Sequence, residues 1–249
     1  MASWEERVAD RSPTVRRSRL RTLAHARTIV DAARRLVRVK GADFTTQDLT
    51  REAGVALQTF YRHFPSKDHL LAAVLEAEIA DGAARLAALV RDLPDPVSRL
   101  RGYVEAILSG VSAPADADDD AGPAGIGPRF ITSEHWRLRQ TLPADVDRAV
   151  APIVDLIASE LRAAQAAGLL HPNDVDRDAT LLAKLLMSVY HHYAYAPTGE
   201  PTDQLIDHVW AFCLTGLGGG TPGGPPGSTQ AGTVGTTLCG LDQDPDRPT

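Results

Sequence analysis

Gln58 and Arg62 stand four residues apart in the short segment Leu57–Phe64, so in a helix they share one crest. Each side chain ends in a planar group with two hydrogen-bonding atoms. Gln pairs with adenine and Arg with guanine in this bidentate way, each contact giving about 1–3 kcal/mol of base discrimination. Thr59, Tyr61 and His63 flank the crest, and Phe60 and Phe64, with Leu57 beside them, form the opposite face, which is expected to dock inward. Tyr61, His63 and Thr46 are placed for phosphates. Lys67 adds a cation where the amides of a following helix also face outward. With Gln47 these residues make the candidate DNA-binding set: Thr46, Gln47, Gln58, Thr59, Tyr61, Arg62, His63 and Lys67. A polar crest alone is what any surface helix carries, so the surrounding elements must decide.

The element before it is a second short helix, Thr46–Ala53, capped by Thr45 with Asp48 three residues on, as in a capping box with a shorter acid. Gly54 makes the turn, where a left-handed backbone costs little without a Cβ. Leu49, Ala53 and Val55 let the two helices cross closely. Helix, glycine turn and short helix form the helix-turn-helix pattern. A first helix over Leu20–Val39, with Leu23, Ala26, Ile29, Val30, Ala33, Leu36 and Val37 on one stripe, supplies the packing surface. Charge fits a polyanion-binding head. Residues 1–67 hold 14 Lys and Arg against 7 Asp and Glu, net +7, while the rest hold 12 against 25, net −13. Charge alone leaves a solvated arginine-rich helix equally open.

Further along, Pro65 breaks the chain and Ser66 caps a fourth, long helix. A fifth starts at Asp95-Pro96. Residues 112–125 read as an exposed loop. A sixth helix covers Pro128–Gln140 and a seventh Pro143–Ala167, with Pro152 able to bend it and Gly168 ending it. The eighth covers Val175–Tyr195 and the ninth Asp203–Leu217. The tail, 218–249, is rich in Gly, Pro and Thr and reads as disordered. The expected fold is all-α, with about nine helices. A basic arm spans 1–18, a helix-turn-helix domain 19–79, and a ligand-binding and dimerisation domain 80–217. Arg16, Arg17, Arg19 and Arg21 in and beside the arm are read as adding nonspecific affinity rather than as a minor-groove reader.

The stretch from Phe44 to Leu71, with Thr59-Phe-Tyr-Arg-His-Phe64 followed by Ser66-Lys67, resembles the DNA-binding domain of the TetR family of bacterial repressors. The close match covers about residues 20–79, and the helix order extends a weaker one to Leu217. Two positions depart from the family pattern: Leu57 stands where many members carry a basic or polar residue, and Thr50 where Ala is common. The resemblance implies phosphate contacts by Tyr61 and Lys67 and base contacts from the first turns of the third helix. It also implies a homodimer through the helices at about 175–195 and 203–217, a palindromic operator, and a small-molecule effector that releases the DNA. Candidate ligand-binding residues are Tyr103, Ile107, Phe130, His135, Trp136, Tyr190 and His191, with Trp136 set among Glu134, His135, Arg137 and Arg139. Aromatics beside a few polar groups suit a small-molecule pocket.

Other functions find little support. Adjacent His191 and His192 point in two directions on a helix and make a poor chelate. No nucleophile elbow, phosphate loop or His-Glu-x-x-His occurs, so neither an enzyme, a metal site nor a cofactor is expected. A helical scaffold with a vestigial DNA-binding domain is the rival reading, and the intact Tyr61, Arg62 and Lys67 argue against it. No apolar run reaches the length of a membrane span and the first 21 residues lack an apolar signal stretch. Cys213 lies in an apolar helical pattern and Cys239 in the tail, which fits a reducing cytoplasm better than a disulfide framework.

Overall fold

The computed structural model describes residues 13–112, 126–196 and 201–219, and all regular structure among them is helical. Nine α-helices follow one another there: α1 (Pro13–Lys40), α2 (Thr46–Ala53), α3 (Leu57–His63), α4 (Lys67–Leu89), α5 (Pro96–Ser112), α6 (Pro128–Thr141), α7 (Pro143–Ala166), α8 (Val175–Tyr195) and α9 (Thr202–Gly216). The expected loop and tail lie almost wholly outside the described residues.

Local chemistry sets most boundaries. Thr45 and Asp48 form a reciprocal capping box at α2, with the Thr45 amide donating to Asp48 Oδ2 at 2.9 Å and the Asp48 amide to Thr45 Oγ1 at 3.1 Å. Those bonds, backbone first, hold the Asp48 carboxyl at about 2. Gly54 closes α2 at φ +64°, in the left-handed region, and its amide returns to Arg51 and Thr50. Asp95 caps α5 by accepting from the amides of Val97 and Ser98, and Asp174 caps α8 by accepting from Asp176 and Arg177. The first helix corrects the expected start at Leu20. It begins at Pro13, so the last residues of the supposed arm are helical. Pro fits a first helical position. The side chains described between Thr14 and Arg19 are exposed, so no apolar stripe marks this extension in the sequence.

Two apolar cores result. The first gathers Ile29 and Ala33 of α1, Phe44, Leu49 of α2, Phe60 of α3 and Leu70 and Leu75 of α4. It also takes in Leu138 of α6 and Val146 and Ala149 of α7, so packing does not break at residue 79. The second joins Leu100, Val104 and Leu108 of α5 to Leu161 of α7, Leu182 and Leu186 of α8, and Val209 and Trp210 of α9. With 23 residues, α4 is about 35 Å long and belongs to the first core along its first half.

A candidate DNA-reading surface and two cavities

Helix α3 is sorted by burial as a docked helix should be. Phe60 is wholly buried in the first core, while Gln58, Tyr61 and Arg62 are exposed and Thr59 is half-buried. Leu57 does not follow Phe60 inward. It is 47% exposed, because it opens the helix, where no neighbour covers it. On α2, Gln47 is exposed and Thr46 half-buried. His63 turns toward α1 instead of outward. Its ring lies 6.2 Å from that of His25, edge to face, and its Nε2 is buried without a partner among the described residues. Burial, then the charges of Arg62 and His25, lower its pKa.

Lys67 also departs from expectation. Its Nζ donates to the carbonyls of Ala42 and Phe44 at 2.5 Å each and sits 4.5 Å from the centre of the Phe44 ring. The charge therefore fastens the start of α4 to the turn before α2. Other cations of this region are occupied as well: Arg34 by Glu78 and Asp81, Arg35 by Glu52, and Lys40 by Asp48. Arg51 and Arg62 are exposed with no such partner among the described residues. The surface is thus less uniformly basic than its composition.

In the body, the candidate ligand residues separate into three groups. Ile107 and Tyr190 line a cavity of about 650 Å³ bounded by α4, α5, α6, α7 and α8. Its walls are mostly apolar, including Ile79, Leu86, Ile131 and Ile153, and burial pushes the Tyr190 phenol up to about 12. His135, Trp136 and His191 line a second cavity of about 510 Å³ between α6, α7 and α8. Val150, Ala183 and Met187 border both. Tyr103 and Phe130 line neither. Tyr103 is 3% exposed within the second core, and Phe130 packs against the first, so both are packing residues here.

Two links escaped the sequence reading. Glu78, on the wall of the larger cavity, is 5% exposed and accepts from Arg34 Nε of α1 at 2.6 Å. Arg137 of α6 joins Asp68, at the start of α4, at 2.8 Å and the buried Glu134 at 2.7 Å. The signal for the first was present: Glu78 falls on the same stripe as Leu71, Leu75 and Ile79, where a lone acid needs a buried partner. Its partner lies 44 residues away and carries no local mark. Among the described residues no group of three or more His, Cys, Asp or Glu side chains could hold a metal ion, and no helix is long and apolar enough to cross a membrane.

The family model for bacterial regulatory proteins, tetR family, matches residues 29–74. No curated protein matches the sequence. Among solved structures, Thermus thermophilus FadR, a TetR family transcriptional repressor in complex with lauroyl-CoA, is 21% identical; the match covers 81% of this chain and 100% of that one, with a TM-score of 0.61. RolR in complex with resorcinol is 18% identical over 80% and 90% of the two chains, with a TM-score of 0.58. FadR from Bacillus subtilis in complex with stearoyl-CoA is 14% identical over 76% and 98%, with a TM-score of 0.57. At these identities the likeness is one of fold.

Proposed function

From the premise that its N-terminal domain is of the TetR family, we propose that this chain is a homodimeric transcriptional repressor released from DNA by a small effector. The observation that carries the reading is the division of α3: Phe60 anchors it while Gln58, Tyr61 and Arg62 stand clear on the outer face. One such helix reads only a few base pairs. Two copies spaced by a helical turn of DNA gain affinity and specificity together, which calls for an inverted-repeat operator. Leu181 of α8 is 55% exposed and Phe212 of α9 is 68% exposed, and an apolar face of this kind supports a partner copy docking there.

The larger cavity is the effector site in this reading. Its apolar walls favour a largely apolar molecule, and Arg85, exposed and without an ion-pair partner among the described residues, favours an anionic head. An acyl thioester such as those bound by the FadR proteins has that form. The effector would act through differential affinity for two arrangements of the domains. Glu78 on the cavity wall and Arg34 on α1 provide a direct connection between them. In this reading the protein works beside its DNA in the cytoplasm and carries out no catalytic step.

The experiment is a release assay. Lauroyl-CoA or laurate is added to the protein on a selected operator duplex, and DNA binding is followed by fluorescence anisotropy in wild type and in Ile107→Trp. Release from wild type together with retention by the variant supports the reading. A probe that raises the Tm of wild type yet leaves the DNA bound rejects effector control through this cavity.

A further inference from the structure

The first half of α1 stands outside both cores. From Thr14 to His25 every side chain that is described is exposed, and the first buried residue of the helix is Ile29. A helix usually draws its stability from a buried face, and this stretch has none, so the fold itself does not require it. Its composition is one-sided. From Pro13 to Val30 no Asp or Glu occurs, while Arg16, Arg17, Arg19, Arg21 and Arg27 stand in that run.

Arg17, Arg21 and His25 follow at four-residue spacing and so form one row along the helix. The inner end of the row is fixed, because the His25 ring lies 6.2 Å from that of His63 on α3. His63 directly follows the exposed Arg62 of the reading face. The row therefore starts at the reading helix and leads away from it, with Arg21 about 6 Å and Arg17 about 12 Å past His25 along the axis of α1. Arg17 and Arg21 are exposed and make no ion pair among the described residues, unlike Arg34 and Arg35 farther along the same helix.

Charge and continuity choose the occupant. A second copy of this helix would set arginine against arginine, and an apolar partner would gain nothing from the row. Leu20 and Leu23 lie off the row. A DNA strand passing the reading helix offers one negative charge per about 3.4 Å of its axis. We propose that the first half of α1 is a second DNA-contacting element, in which Arg17 and Arg21 hold phosphates flanking the bases that α3 reads. The inference rests on the DNA-binding reading. Because the row is helical, its two charges keep a fixed offset from α3 and meet set phosphates, which a flexible arm would spread over many. Such contacts position the protein and carry no sequence information of their own.

The test uses the full chain on the duplex it selects from a random library. Wild type and the double variant Arg17→Gln/Arg21→Gln are titrated at several salt concentrations by fluorescence anisotropy, and hydroxyl-radical footprints are taken on the same duplex. The Gln variant is expected to bind at least tenfold more weakly. Its slope of log affinity against log salt should be shallower by about 2–4, since two chains each lose two phosphate contacts at about 0.9 apiece. Its preference for operator over scrambled duplex should change less than threefold. Protection flanking each half-site should vanish while protection over the bases read by α3 stays. Arg17→Lys/Arg21→Lys should keep the wild-type slope within about 1, because charge is what the phosphates need. Both positions are exposed and Gln and Lys suit a helix, so melting should not move. If it does, phosphate-ethylation interference on wild type decides: phosphates flanking the base pairs with sequence preference must interfere. An unchanged slope and footprint in the Gln variant, loss of its sequence preference, or no flanking interference overturns the proposal and leaves reading by α3 intact. A wild type that selects no motif overturns both.

Discussion

Among the described residues the guanidinium of Arg62 meets no carboxylate, whereas the ammonium of Lys67 is tied to two carbonyls, and the two side chains should respond differently to removal. Arg62→Ala is expected to weaken operator binding by about 1–3 kcal/mol and relax preference at one base pair, with little change in melting. Lys67→Met is expected to cost about 2 kcal/mol of stability, the scale of hydrogen bonds to a charged group, read as a lower urea midpoint. If Lys67→Met leaves the midpoint unchanged and affects only DNA binding, the fastening role is wrong. His191 gives a pH signature. Above pH 6.5 its ring is neutral folded and unfolded, so it contributes no pH dependence. Between 6.5 and about 4 the unfolded chain takes up the proton and the folded chain refuses it, so stability falls with pH, by about 3 kcal/mol in all. His191→Phe should flatten that part of the stability curve in urea titrations run from about pH 7 to about pH 4. An unchanged slope would mean that the ring is not held neutral.

At the scale of elements, α5 and α4 carry glycines of opposite meaning. A Cβ on Gly102 would stand 2.8 Å from Val90 Cγ1 and 3.2 Å from Leu93 Cδ1, and Val90 is buried. Gly82 on α4 would meet only the tip of Arg85 at 3.8 Å. Gly102→Ala is therefore expected to destabilise by about 1 kcal/mol, and Gly82→Ala to stabilise by about 0.5–1 kcal/mol through helix propensity. Thermal melts that rank the two variants the other way would show that the approach of α5 to the preceding turn is not tight. What could be read in the sequence follows the same division between local and distant causes. Thr45, Asp48, Gly54, Ser66, Asp95 and Asp174 act on amides within a few residues, so they announced their helix ends. Periodicity put Phe60 inside and Gln58 and Arg62 outside. It gave no warning that Leu57 is exposed or that His63 faces His25, because both depend on where a neighbouring helix ends or lies. The candidate ligand residues divide by place: Ile107, His135, Trp136, Tyr190 and His191 line cavities, and Tyr103 and Phe130 do not. Whether an aromatic lines a cavity or fills a core is decided by partners far away, as Tyr103 and Phe130 show.

Across the whole molecule, the first core runs from the head into the body, an arrangement that suits a coupled regulator. Leu138 and Val146 of the body pack with Phe60 and Leu70 of the head, and the Arg34–Glu78 and Arg137–Asp68 pairs stitch the same seam. Ile79, Ile131, Val150 and Ile153 reach the larger cavity from elements of this seam. A molecule lodged there would press on groups that support α1 and α4, which is the physical content of release by an effector. Such coupling matters only if the head reads DNA sequence. The most direct measurement is selection from a random duplex library by the full-length protein at about 150 mM salt, which suppresses purely electrostatic retention. The account predicts enrichment of one short inverted repeat, bound by two chains, with preference at one symmetric pair of positions lost in Arg62→Ala. A folded protein that enriches no motif, or one whose motif is untouched by Arg62→Ala, would contradict it.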